Sequence, residues 1–157
     1  MKYNLTSRTL VRTLTVCFAL TSATFVLAQS NSSGAFHVHR ACSNRTLFGD
    51  YGTQLEGTIL GPNLPLRTLV MAHFDGEGNI TEVDHVVLNG VPPPPEEEWR
   101  PTSGTYSVNS NCTGFASIDV APGNPPLTYH FVVVNHGREI LEVVDGGAIR
   151  GVAHRVE

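Results

Sequence analysis

Lysine is nearly missing from this chain of 157 residues, with Lys2 the only one. Charged residues make up 15% and hydrophobic residues 41%. Both fall below the usual globular shares of roughly 25% and 45–50%. So little charge excludes a highly charged disordered tail, and the composition is not that of a coiled coil or of a helical bundle rich in Ala, Glu and Lys. The longest apolar stretch is shorter than the roughly 20 residues that a helix needs to span a bilayer. The sequence has no paired Cys-x-x-Cys, His-Glu-x-x-His, serine nucleophile elbow, phosphate-cradling glycine loop or dinucleotide fingerprint. What is abundant is turn-forming, with 15 Gly and 10 Pro. That balance favours a turn-rich β protein.

The first 28 residues read as a secretory signal. Lys2, Arg8 and Arg12 make a positive start, Leu14 to Leu27 is apolar, and Val26-Leu27-Ala28 is a small-residue cleavage site. Gln29, not Cys, stands directly after the cleavage site, so no lipid anchor is expected, and no stable membrane anchor is expected after processing. The expected destination is the periplasm or the medium. Residues 29–41 form a polar lead-in, and 42–157 form the folded domain.

Cleavage leaves seven Arg against fourteen acids, a formal charge of −7. An acidic domain without a basic patch repels phosphate backbones, so nucleic acid is excluded as a partner, and an anionic membrane surface fits no better. Without lysine, Schiff-base catalysis through an amine is excluded as well. Cys17 lies in the leader. Cys42 and Cys112 remain, an even number in an exported chain, and the plainest reading is one disulfide.

Beyond a short helical turn expected from Ser43 to Phe48, no 3.6-residue apolar period persists. Eight extended segments recur instead: 51–60, 67–74, 79–88, 104–108, 113–120, 127–134, 139–144 and 148–155. Gly, Asn and Pro signals separate them, as at Asp75-Gly76-Glu77-Gly78. The short links predict an all-β meander. Closure into an eight-stranded antiparallel up-and-down barrel removes both exposed edges. Such a barrel has an interior wide enough for side chains or one small ligand. Several segments are apolar on both faces and need cover outside, from the N-terminal segment, the proline loop or another subunit, so a homo-oligomer is one of the expectations.

Four segments occur in order: Leu47-Phe48-Gly49-Asp50-Tyr51-Gly52, Phe74-Asp75-Gly76-Glu77-Gly78, Gly104-Thr105-Tyr106-Ser107-Val108-Asn109 and Asn111-Cys112-Thr113-Gly114. They resemble a group of small exported bacterial proteins, mostly uncharacterised, that look like calycin-type barrels and in particular allene oxide cyclase-like barrels. The resemblance covers residues 42–156. It rests on turns and strand starts, so it implies a fold shared by ligand binders and cyclases and brings no catalytic set with it.

The polar candidates follow from strand alternation. His130, Tyr106 and Glu82 are the acid–base candidates for a cyclase or isomerase working without a cofactor. His73, Tyr129, Arg150 and Trp99 are candidates for touching a small apolar or amphipathic ligand. Each has a plainer reading. The histidines could be hydrogen-bonded wall residues, and Arg150 could pair with an acid on a neighbouring strand such as Glu142. Glu82 and Asp84 could mark the wet face of their strand, and Trp99 could either plug a barrel mouth beneath the proline run or sit in an exposed loop. His37 and His39, with a third ligand from His73, His85, His130 or His154, have zinc-like spacing but no strong motif, so no metal is expected. Asn31, Asn44, Asn79 and Asn111 open N-x-[ST] sequons, which matter only in a eukaryotic secretory route. Three functions remain open: a ligand-binding barrel, a cyclase, or a structural, partner-binding barrel with a filled interior.

Overall fold

A computed structural model describes residues 41–157. The leader, most of the lead-in, His37 and His39 lie outside the described residues. The eight strands are β1 (Gly49–Ile59), β2 (Leu64–Phe74), β3 (Asn79–Leu88), β4 (Arg100–Val108), β5 (Thr113–Asp119), β6 (Leu127–Val134), β7 (Glu139–Val144) and β8 (Ala148–Arg155). Each pairs antiparallel with the next, and β1 pairs with β8 from Tyr51↔Arg155 to Thr58↔Ala148. The result is a closed eight-stranded meander barrel. No described helix is long and apolar enough to cross a membrane.

The strands obey the two-residue period of the sequence. In β2 Thr68, Val70, Ala72 and Phe74 are buried while Leu69, Met71 and His73 are exposed. In β6 Tyr129, Phe131 and Val133 point in and His130 and Val132 point out. Every second side chain therefore enters one shared core. The outward set is apolar in places, with Leu69, Met71, Phe115, Val132, Leu141 and Val143 all exposed.

Besides β1, which starts at Gly49 rather than Tyr51, two strands begin well before their expected starts. β2 starts at Leu64 and carries Pro65, and β4 starts at Arg100 and carries Pro101. In each case cross-strand partners extend the ladder past a residue that lacks an N–H. Pro65 lies opposite Thr58, and its carbonyl accepts a hydrogen bond from the Asn89 N–H at 2.8 Å. Arg100 lies opposite Asp84 and is tied to it by a salt bridge. The helical turn is shorter than expected, a single 3-10 turn over Asn44–Thr46.

That turn closes one end of the barrel. Leu47 is fully buried. The Tyr106 hydroxyl donates to the carbonyls of Asn44 and Leu47, both at 3.1 Å, and the Tyr51 hydroxyl donates to the Gly137 carbonyl. Phe74 meets Tyr51 and Tyr106 edge-on, with ring centroids 5.1 and 4.9 Å apart. A disulfide between Cys42 and Cys112 fastens the segment to the β4–β5 turn, with Cα atoms 5.0 Å apart.

Asn44 locks the plug from the side. Its Oδ1 accepts from the Val108 N–H at 2.8 Å, and its Nδ2 donates to the Glu77 carbonyl at 3.2 Å. Asn44→Ala leaves the Val108 N–H without its partner, and the expected cost is about 1–2 kcal/mol. A shift in the urea midpoint measures it, and a midpoint that stays in place would mean that water replaces the side chain.

The β2–β3 turn shows why Asp75 is where it is. Its Oδ1 accepts the N–H groups of Glu77, Gly78 and Asn79 at 2.7, 2.9 and 2.9 Å. The Asn79 side chain adds a fourth bond at 2.6 Å. These bonds hold the Asp75 carboxyl well below the usual carboxylate range. Gly76 supplies the positive φ of 80° that the tight turn requires.

Candidate functional site

Beyond the plug the interior is not filled. A cavity of about 220 Å³ runs along the lumen toward the end formed by the β1–β2, β3–β4, β5–β6 and β7–β8 connections. Its walls are mostly apolar, including Val70, Ile118, Ile140 and Val144. Toward that far end Leu66, Val86, Val120 and Ile149 are only half-buried. An engineered cavity of about 150 Å³ accepts benzene, so the lumen has room for a somewhat larger molecule.

Besides Thr53 on β1 and Thr68 on β2, the polar side chains that face this space are Glu82 and Asp84 on β3, Thr102 on β4, Tyr129 on β6 and Glu142 on β7. Arg100 stands at their edge and makes a two-pronged bond to Asp84, Nε to Oδ1 at 3.0 Å and Nη2 to Oδ2 at 2.7 Å. That pairing raises the Arg100 pKa further. Glu82 accepts only a long bond from the Thr102 hydroxyl, at 3.4 Å. Glu142 is 8% exposed and Tyr129 is 7% exposed. Neither side chain has a hydrogen-bond partner among the described residues, although both are polar and border the cavity.

Burial sets the electrostatics. Removal from water pushes Glu82 up to about 7, against the Thr102 bond and helped by the nearby Asp84 charge. Burial, then the charge on Glu82, pushes Glu142 up to about 7 as well. Tyr129 lies well above its ordinary value through burial and the same two carboxyls. Near neutral pH the lumen therefore holds acids that readily give and take a proton.

Gly151 makes the Glu142 position available. It lies opposite Glu142 across the β7–β8 ladder. A methyl group on Gly151 would overlap the Glu142 carboxyl and Leu55. The missing side chain on β8 is the space that the carboxyl occupies.

Of the acid–base candidates in the sequence, Glu82 faces the cavity. Tyr106 is buried, but its hydroxyl is committed to the plug, and burial takes it up to about 12. His130 is on the outer surface, bonded to Asp145 at 2.9 Å. The Thr128 hydroxyl and then His130 hold the Asp145 carboxyl below its ordinary value.

Of the ligand candidates, Tyr129 faces the cavity and the other three do not. His73 is outside, 2.7 Å from Asp50. Arg150 pairs with Glu56 of β1 at 2.9 Å rather than with Glu142. The register explains this, since Arg150 lies opposite Glu56 and beside the outward Val143, whereas Glu142 points inward. Trp99 is half-exposed and lies 5.5 Å from the His85 ring, so it plugs no mouth. The prolines themselves pack along the rim beside Val86, Leu88 and Arg100.

Glu82 and Asp84 lie on the inner face, not on a wet one. Glu142 was not singled out as a cavity residue by the sequence. Its signal was there: it is the lone charge in the run Ile140-Leu141-Glu142-Val143-Val144. Among the described residues no three His, Cys, Asp or Glu side chains are placed to hold a metal ion.

Comparison with known proteins finds no family model, no curated protein and no solved structure that matches the chain.

Proposed function

We propose that the protein is an exported calycin-like barrel that binds one small amphipathic molecule in its lumen. The observation that carries this reading is the cavity of about 220 Å³ with apolar walls, bordered by Glu142 and Tyr129, whose side chains take no hydrogen bond from another described residue. No fully buried side-chain N or O atom among the described residues lacks a partner, so these polar groups open onto the cavity, where a ligand can meet them. The signal-like leader and the Cys42–Cys112 disulfide support export to the periplasm or the medium.

Native mass spectrometry of protein purified from its own secretion route tests the reading. A low-mass companion is expected on the folded protein. Val70→Phe, which fills the cavity wall, is expected to remove it. A bare mass under gentle desolvation, in the parent as in the variant, would leave only a structural or partner-binding barrel.

One observation favours a second reading, a cyclase or isomerase that works without a cofactor. Glu82 and Glu142 have pKa values near working pH, where a general acid or base is most effective. Turnover of the companion molecule that vanishes in Glu82→Gln while binding persists would select this reading.

A further inference from the structure

The lumen has an uneven balance of charge. Three carboxyls line it, those of Glu82, Asp84 and Glu142, and Arg100 is the one cationic side chain among the described residues that line it. The charge of Arg100 is matched by Asp84, which takes its Nε–H and one Nη2–H. β1, β2, β5 and β8 contribute no charged side chain to the cavity wall. The described histidines do not line it either. Glu82 and Glu142 thus face an enclosed space with no positive group to answer them.

The unmet acceptors can be counted. Glu142 receives no hydrogen bond from a described residue, and Glu82 receives one long bond on Oε2. The Tyr129 hydroxyl oxygen is also free to accept. A primary ammonium has three donors and no acceptor. Carboxylate–ammonium hydrogen bonds are about twice as strong as neutral ones. A buried carboxylate without a cation is strongly disfavoured, so the empty lumen favours the protonated carboxyl, and a ligand with positive charge is what favours the ionised one.

We infer that the lumen selects a small primary amine with an apolar tail, its ammonium held by Glu82, Glu142 and Tyr129. This rests on the lumen-binding reading above and adds the class of ligand. The tail lies along Val70, Ile118, Ile140 and Val144, and a volume of about 220 Å³ suits roughly ten non-hydrogen atoms. An anionic amphipath of the same size meets two carboxyls and is rejected. Binding also moves protons. A carboxyl that is protonated in the empty lumen must ionise to pair with the ammonium, and the proton goes to the buffer. Amine affinity therefore rises with pH through the neutral range, where Glu82 and Glu142 titrate, and Asp84 stays paired with Arg100.

Calorimetric titration of the disulfide-intact protein with phenethylamine, phenethyl alcohol and phenylacetate tests the inference. At about pH 8 the amine is expected to bind at least about tenfold more tightly than the alcohol, with no binding of phenylacetate. Heats measured at about pH 6 in two buffers of different ionisation enthalpy, where the carboxyls are still protonated, are expected to show proton release for the amine and none for the alcohol. Glu82→Gln and Glu142→Gln are each expected to weaken the amine about tenfold and to leave the alcohol within about twofold. Val70→Phe is expected to abolish binding of both. Equal or tighter binding of the alcohol would overturn the amine assignment and keep the lumen as a binding site. Amine binding that survives Val70→Phe would place the amine on the acidic exterior and overturn the assignment. Failure of all three probes would overturn the lumen reading along with it.

Discussion

Stability is expected to fall as the pH rises from about 5 to about 8, the reverse of the usual behaviour of a carboxylate-rich protein. The cause is in the lumen. Glu82 and Glu142 have folded pKa values of about 7 against an ordinary 4.5. Between those values the folded chain binds more protons than the unfolded one. The stability they lend is complete below about pH 4.5 and is lost as the pH rises through about 7, on the order of 3 kcal/mol for each carboxyl. Asp75, Asp145 and Glu56 have the opposite sign, since their folded pKa values are lowered by hydrogen bonds or by Arg150. Their contribution is lost only as the pH falls below the ordinary carboxylate range. The stability maximum is therefore expected near about pH 5. Urea midpoints across the range measure it. Glu142→Gln is expected to flatten the alkaline limb and to be more stable than the parent at about pH 8 by roughly 2 kcal/mol. A profile that rises from about pH 5 to about pH 8 would show that the two carboxyls reach water.

Loss of the Cys42–Cys112 disulfide is expected to cost on the order of 4 kcal/mol, from the loop-closure entropy of two cysteines 70 positions apart in sequence. The cost is concentrated at the plugged end. Cys42 is held there by one further backbone bond, to the Ser110 carbonyl at 3.2 Å. Cys112 has a positive φ of 67°, so a replacement at that position keeps a strained backbone and loses the cross-link. Reduction of the parent protein is therefore the cleaner experiment, with the double Cys→Ser variant as its companion. Denaturation with and without reductant gives the value. A loss under about 1 kcal/mol would mean that Tyr106, Asn44 and Leu47 hold the plug without the cross-link.

The barrel was legible because its punctuation is local. Asp75-Gly76-Glu77-Gly78 can hardly be anything but a tight turn, and Leu127-Thr128-Tyr129-His130-Phe131 alternates in a way that only a strand sustains. Which face turns inward is a different matter. In β3 Thr81, Val83 and His85 oppose Ile80, Glu82, Asp84 and Val86, and the charged set looks like the wet one. The interior claimed that set because Arg100, across the ladder, satisfies Asp84. That partner becomes visible only once β4 is extended back through Pro101. His73 and His130 failed to reach the cavity for a similar reason. Their partners Asp50 and Asp145 lie 23 and 15 residues away, on the outside, where only the register brings them close.

The seam between β1 and β8 has a consequence for how the molecule comes together. Seven of the eight ladders join strands adjacent in sequence, whereas the eighth joins Tyr51 to Arg155. Hairpins assemble from neighbouring segments quickly, and contacts between distant segments carry the larger entropic penalty. The expected order is that the ring zips up around its circumference first and latches last. Until the latch engages, a nascent chain displays two raw strand borders, which is the interval in which it is most exposed to mispairing with its neighbours.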